Sequence, residues 1–147
     1  MTPTRILPDL QCSLLCEEVR QEATGNFILI GVIDFVRVPQ LPITAFKLSV
    51  FNRWTAGVGI FTESVRLIAP DQTTLLRKSE VKFQMKDPSS NATTVSLFGN
   101  VEFAAAGAYF IEVMVDDVMK VRYPVNLVLV QQNPGSQREG SQPQAPK

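Results

Sequence analysis

The sequence has no histidine, two cysteines, one tryptophan and two tyrosines among its 147 residues. Without histidine, the commonest general base and the usual catalytic triad are absent. Cys12 and Cys16 alone cannot complete the four-ligand set of a structural zinc site. On a strand, a spacing of four residues also exceeds the ~7 Å Cα separation that a disulfide tolerates. We therefore expect no disulfide, no metal and no cofactor, and we interpret both cysteines as half-buried apolar residues.

An excess of charge and a long apolar run are also missing. Fourteen basic residues balance fourteen acidic ones, whereas nucleic acids and anionic membranes attract a basic excess. We expect neither as a partner. No apolar run approaches the ~20 residues that span a bilayer, and the opening MTPTRILPDLQC lacks the apolar core of a secretory signal. These features predict a cytoplasmic protein.

Between short intervals of proline, glycine and asparagine, the sequence alternates by twos. Residues 81–86 alternate strictly between apolar and polar side chains, and the odd-numbered residues from 119 to 129 are all apolar. Alternation is typical of strands with one buried and one solvated face. Repeated at short spacing, it predicts an antiparallel sandwich or barrel. The predicted strands lie near 11–20, 27–37, 44–54, 58–69, 80–86, 93–103, 108–115 and 118–130.

Turn residues separate these strands. Thr24-Gly25-Asn26 is the predicted tip of a first hairpin, since glycine and asparagine accept positive φ. We predict a crossing loop at 39–42, a turn at 69–72 with proline at its second position, and a loop at 86–91. Pro124 lies within the last strand and cannot donate to a ladder, which predicts an edge or a change of sheet at that point.

Residues 9–25 fit two interpretations. As a helix, the segment would be capped by Asp9, carry an apolar pair four residues apart, and end at Gly25. As a strand, it would supply the antiparallel partner that 27–37 needs after a short turn. We favour the strand.

The predicted domain organisation has three parts: an N-terminal extension at 1–10, a β-sandwich domain at 11–131 and a tail at 132–147. The chain after Val130, QQNPGSQREGSQPQAPK, has no aromatic or β-branched residue and is rich in glutamine, proline, glycine and serine. Such a composition buries too little apolar surface to offset chain entropy, which predicts a disordered tail.

The segment AAAGAYFIEVMVDD, residues 104–117, places two adjacent carboxylates after an apolar run. A calcium loop would need further oxygen ligands at close spacing, and none follows Asp117. Asp116 and Asp117 instead fill the whole gap between two predicted strands. Because aspartate tolerates positive φ better than most residues, we predict a two-residue hairpin turn there.

Tyr109, two residues after Gly107, resembles the tyrosine corner of immunoglobulin-like sandwiches. That resemblance implies a hydroxyl bonded to backbone across the corner and a ring in the core. It favours an immunoglobulin-like antiparallel β-sandwich of about 7–9 strands. The family's inter-sheet disulfide is missing, since Ile111 occupies the usual cysteine position.

Three longer segments carry a second resemblance: CSLLCEEVRQEATGNFILIGV near the start, then GAYFIEVMVDD and VRYPVNLVLV at the end. Over about residues 11–130 the chain resembles small bacterial β-sandwich proteins grouped as a domain of unknown function. The resemblance implies a compact sandwich and brings no catalytic residues to transfer.

Glutamates offer the remaining route to enzyme chemistry. A glycosidase-type carboxylate pair could be drawn from Glu63, Glu80, Glu102 and Glu112. All four alternate with apolar residues, so we interpret them as solvated positions on strand faces. We therefore expect a protein that is not an enzyme.

The favoured hypothesis is a module for protein–protein interaction or self-association. Val128 and Val130 make both faces of the last strand apolar, and Phe51 and Ile68 fall on the outer parity of their strands. Trp54 could anchor an interface or belong to the core. These five residues are the predicted interface, at a sheet edge or an apolar patch.

The alternative hypothesis is a module that binds a small ligand or a carbohydrate. It predicts a concave pocket lined by Trp54 together with Asn52 and Arg53. A carbohydrate platform usually needs more tryptophan and tyrosine than this chain contains.

Overall fold

The computed structural model describes residues 4–130, which form nine β-strands and no helix. The strands are β1 (Asp9–Gln21), β2 (Phe27–Val32), β3 (Phe35–Val38), β4 (Ile43–Thr55), β5 (Gly59–Ile68), β6 (Leu75–Met85), β7 (Asn91–Phe103), β8 (Gly107–Val115) and β9 (Val118–Leu129). The all-β prediction is confirmed, and the strand interpretation of residues 9–25 was the correct one of the two.

The strands form two sheets. The first sheet has the order β2-β1-β4-β7, and the second has the order β3-β9-β8-β5-β6. Every pairing is antiparallel except that of β3 with β9, which is parallel. The two sheets enclose one core, as expected of a β-sandwich.

The core consists of the residues of one parity from each strand, because successive side chains point to opposite faces. Trp54 of β4 and Phe61 of β5 both pack near Phe83 of β6, with ring centroids 5.6 and 5.7 Å from it. Other buried members include Leu15, Leu48, Val50, Val65, Leu67, Phe98, Ile111, Val113, Val125 and Leu127.

The side chain of Arg77 links the two sheets along one side of the sandwich. Arg77 of β6 donates to the carbonyl oxygens of Gly99 and Asn100 of β7, at 2.8 Å each. These bonds link the edge strands of the two sheets. The guanidinium therefore satisfies carbonyls of β7 that lie at the edge of the first sheet.

The segment predicted as one strand at 27–37 is two strands in different sheets. The amide of Ile33 donates to the carbonyl of Leu15 at 2.7 Å, the last bond to the first sheet. After Asp34 the chain joins the second sheet, where β3 pairs with β9 from Phe35↔Asn126 onward. Apolar–polar alternation in the sequence does not reveal this change of sheet, because side chains alternate by twos in both strands.

We call residues 16–32 the β1–β2 hairpin. β1 pairs with β4 as far as Cys16↔Ser49 and then with β2 from Cys16↔Val32 to Gln21↔Phe27. The Phe27 ring lies edge-on to the Phe51 ring of β4, with centroids 5.7 Å apart. The hairpin therefore lies against the outer face of the first sheet.

Several local predictions are confirmed. Gly25 takes φ 100° at the hairpin tip, and the amide of Gln72 closes the turn at 69–72 by donating to the Ala69 carbonyl. Pro124 is at an edge, because β3 pairs with β9 only from Asn126 onward. Among the predicted boundaries, β6 differs most, since it begins at Leu75 rather than near residue 80.

The predicted N-terminal extension takes part in the fold, since Ile6 forms an isolated antiparallel bridge with Val58. The predicted tail at 132–147 lies outside the described residues.

Candidate functional site

The most unusual group in the core is the carboxylate of Glu63. It is fully buried on β5, on the same parity as Phe61 and Val65. Its Oε2 accepts three hydrogen bonds, from Asn52 Nδ2 at 3.0 Å, Trp54 Nε1 at 2.7 Å and Thr94 Oγ1 at 2.6 Å. These three bonds join the two sheets through the core.

This arrangement corrects the interpretation of the glutamates as solvated. Glu63 is 0% exposed, whereas Glu80 and Glu102 are exposed as predicted. Parity was the signal that could have identified it, since Glu63 falls between the inward positions Phe61 and Val65. Asn52 is likewise inward, between Val50 and Trp54.

Glu112 is also largely buried, although it lies on the outer face of the second sheet. Its Oε1 accepts from Arg66 at 2.7 and 3.1 Å, and Arg122 Nε lies 3.4 Å from its Oε2. Glu63 faces the core and Glu112 faces outward, so these two carboxylates do not face a common cleft. No group of three metal-ligating side chains occurs within residues 4–130.

Asp116 and Asp117 form the predicted two-residue turn, with φ of 47° and 67°. Both angles are positive, as in a type I′ hairpin turn. Asp116 also bonds to β5, because its Oδ1 accepts from the Thr62 amide at 2.9 Å and its Oδ2 meets Arg5. The Thr62 bond and, after it, the Arg5 guanidinium hold the pKa of Asp116 below its usual value.

Tyr109 makes the backbone contact that its sequence context predicts. Its ring is buried, and its hydroxyl donates to the carbonyl oxygen of Ala105 at 2.6 Å. The other tyrosine, Tyr123 of β9, shares a 3.0 Å hydrogen bond with Ser13 of β1. Burial raises the pKa of Tyr123 to about 12.

Both cysteines are free thiols. Cys12 is half-buried and Cys16 is fully buried. Burial raises the pKa of the Cys16 thiol, which disfavours the reactive thiolate.

The five predicted interface residues separate into two groups. Val128 and Val130 are exposed near the end of β9, as the hypothesis requires. Trp54 is a core residue bonded to Glu63, Phe51 is covered by Phe27 of the hairpin, and Ile68 is buried beside its paired neighbours Leu75 and Phe110. These three therefore do not belong to an exposed patch.

The pocket of the alternative hypothesis is not formed as predicted, because Trp54 and Asn52 are both fully buried. Arg53 points the opposite way. It lies on the outer parity of β4 and lines a cleft of about 410 Å³ beneath the hairpin tip, together with Phe27 and Phe51.

The β1–β2 hairpin carries an exposed apolar stripe that the sequence interpretation missed. Ile28, Ile30 and Val32 share one parity of β2 and are 42%, 36% and 55% exposed. The signal was the uncharged run FILIGV beside a predicted hairpin tip. We call these three residues the hairpin stripe.

The fold and these side chains define a single β-sandwich with a buried polar bridge between its sheets and a hairpin against one outer face. The chain belongs to the Family of unknown function (DUF6941), which it matches over residues 11–128. None of the curated proteins compared with the chain matches it. Within the part of the chain that the structure describes, no helix is long and apolar enough to cross a membrane.

Proposed function

We propose that this protein is a non-enzymatic interaction module, and that it associates with a second copy of itself through the edge of β2 that no other strand of residues 4–130 occupies. The observation that carries the proposal is the hairpin stripe. An uncharged, exposed edge strand presents unpaired backbone groups that another strand can complete.

The other three edges support the choice of β2. β7 is bonded to β6 through Arg77. β6 carries Lys78, Glu80 and Lys82 on one parity, and lysine on an edge discourages pairing. β3 has only four residues, one of them Arg37. β2 has no charged residue, so it lacks this protection.

The proposed pairing with a second copy has a defined register. Gly31 takes φ 66° and ends the regular part of β2, which leaves Phe27–Ile30 for pairing. Antiparallel pairing centred on Leu29 is symmetric and places Ile28 of each copy opposite Ile30 of the other. Apolar pairs directly opposite each other stabilise a ladder, and no like charges meet.

The pairing of two short strands buries little surface, so the complex should be weak and dependent on concentration. Sedimentation equilibrium from about 10 µM to about 1 mM, the range of weak complexes, should show a monomer–dimer equilibrium. Ile30→Lys should move that equilibrium strongly toward the monomer. Ile60→Lys is the matched control, because Ile60 is a 61% exposed isoleucine on the internal strand β5.

The register has its own test. The Ile28→Glu and Ile30→Lys variants should each be monomeric alone, and a mixture of the two should regain association because their opposite charges face each other. A strict monomer for the wild-type chain across the range would overturn the proposal. A dimer that Ile30→Lys leaves intact would overturn it as well.

A further inference from the structure

A cleft separates the tip of the β1–β2 hairpin from the outer face of the first sheet. Its volume of about 410 Å³ falls within the range of small-ligand sites. Phe27, Leu29 and Phe51 supply apolar walls, and Asn26 and Thr93 supply polar groups. Of the described residues that line it, Arg53 is the single charged one.

Within residues 4–130, the Arg53 guanidinium has neither a carboxylate partner nor an acceptor for its Nε–H. Its Nε–H group is buried and donates to no oxygen of residues 4–130. Among the same residues, no carboxylate lies within ion-pair distance of its guanidinium, whose carbon is 5.9 Å from the centroid of the Phe51 ring. A buried donor without an acceptor is costly, and an anion bound to the guanidinium would offset that cost.

We propose that this cleft binds a small organic monocarboxylate, with its carboxylate on Arg53 and its apolar portion against the walls formed by Phe27, Leu29 and Phe51. One guanidinium in an otherwise uncharged lining balances one negative charge, which favours a carboxylate over a phosphate dianion. The planar guanidinium also matches the two oxygens of a carboxylate.

The inference goes beyond the proposed function and concerns another surface. Phe27 and Leu29 belong to the parity of β2 that faces the cleft, whereas Ile28 and Ile30 belong to the opposite parity. Loss of one activity therefore leaves the other to be measured by itself. Ile30→Lys, the variant that tests association, should bind carboxylates as the wild-type chain does.

The test is a titration of the ¹⁵N-labelled chain followed by amide chemical shifts. The probes are hexanoate and phenylacetate, with hexanamide and phenylacetamide as neutral analogues and inorganic phosphate as the other anion. Both carboxylates should shift the amides of Gly25, Phe27 and Thr93 saturably. Hexanamide, phenylacetamide and phosphate should bind at least about 10-fold more weakly. The two neutral analogues lose the charge-assisted bonds, and phosphate matches the guanidinium poorly.

The variants locate the site. Arg53→Gln should weaken carboxylate binding by about 10-fold or more. Arg53→Lys should weaken it less, because lysine keeps the positive charge but cannot donate two parallel hydrogen bonds to the carboxylate. Arg37→Gln is the matched control, since Arg37 also stacks on a phenylalanine, Phe35, at 4.1 Å. It should bind as the wild-type chain does.

Two results on the wild-type chain alone would overturn the inference, so it does not depend on the folding of a variant. One is that no amide shift saturates at carboxylate concentrations up to about 10 mM, which would mean binding weaker than that of a millimolar site. The other is equal binding of a carboxylate and its amide. Unchanged binding by folded Arg53→Gln would overturn it as well.

Discussion

At the scale of single residues, the central feature is the buried side chain of Glu63, which has no salt-bridge partner within residues 4–130. Glu63 is stabilised by three donors from the opposite sheet, Asn52, Trp54 and Thr94. Each donor would be buried and unpaired without it. These three bonds favour the relative position of the two sheets that satisfies them together.

Replacing this carboxylate should therefore be severe. Glu63→Ala should lower the free energy of unfolding by about 3 kcal/mol or more, since three buried donors each lose their acceptor. Glu63→Gln, which keeps one acceptor oxygen, should lose less. Urea unfolding measures both. Glu80→Ala is the control on the neighbouring strand, with an expected change within about 0.5 kcal/mol. Equal losses for Glu63→Ala and Glu80→Ala would contradict the bridge.

Because the Tyr123 hydroxyl is largely buried, the free energy of unfolding should depend on pH in the alkaline range. Its pKa in the folded chain is about 12 against an ordinary 10.0, so folding favours the neutral hydroxyl. The resulting stability is complete below the ordinary pKa and is lost as the pH rises through the folded one. The effect is on the order of 2 kcal/mol.

Unfolding in urea across this pH range measures the effect, with Tyr123→Phe as the comparison. The variant loses the bond to Ser13 at every pH, but its stability should fall less steeply above pH 10. Identical slopes for the two chains would show that this hydroxyl does not titrate as proposed.

At the scale of elements, the turn between β8 and β9 depends on positive φ at both of its residues. Asp117, at φ 67°, makes none of the contacts that hold Asp116 to β5. Asp117→Val should lower the free energy of unfolding by about 1–2 kcal/mol, because a β-branched residue is strained in this region. Asp117→Gly should cause no such loss. Thermal unfolding compares the two, and equal stabilities would contradict the type I′ assignment.

Local patterns predicted most of the strands, because alternation and turn residues act over a few positions. The tip at Gly25, the turn at Asp116 and the edge at Pro124 all followed from residue chemistry. The passage from β2 to β3 did not, because moving from one sheet to the other depends on distant partners in β9. The site was less predictable for the same reason, since Arg53 acquires its cleft only when the hairpin folds over β4.

Exposure was the hardest property to predict. Phe51 lies on an outer face, yet the hairpin buries it. Parity shows which side of a sheet a residue faces, but not whether another element covers that side. The hairpin that covers Phe51 carries Ile28 and Ile30 on its own exposed face. The exposed apolar surface therefore lies on the hairpin and not on the strand beneath it.

At the scale of the whole molecule, the four sheet edges differ, and among residues 4–130 β2 is the edge strand without a charged residue. The protections differ: Arg77 links β7 to β6, charged residues line β6, and β3 is short. This asymmetry is the basis of the proposed association.

Hydrogen exchange of the β2 amides at two protein concentrations tests this claim most directly, because it reports the bonds that the second copy would make. Exchange between Phe27 and Ile30 should slow as the concentration rises, while exchange in β6 should not change. The same slowing should be absent in Ile30→Lys. Exchange in β2 that is independent of concentration, in a sample that sedimentation shows to be dimeric, would contradict the account.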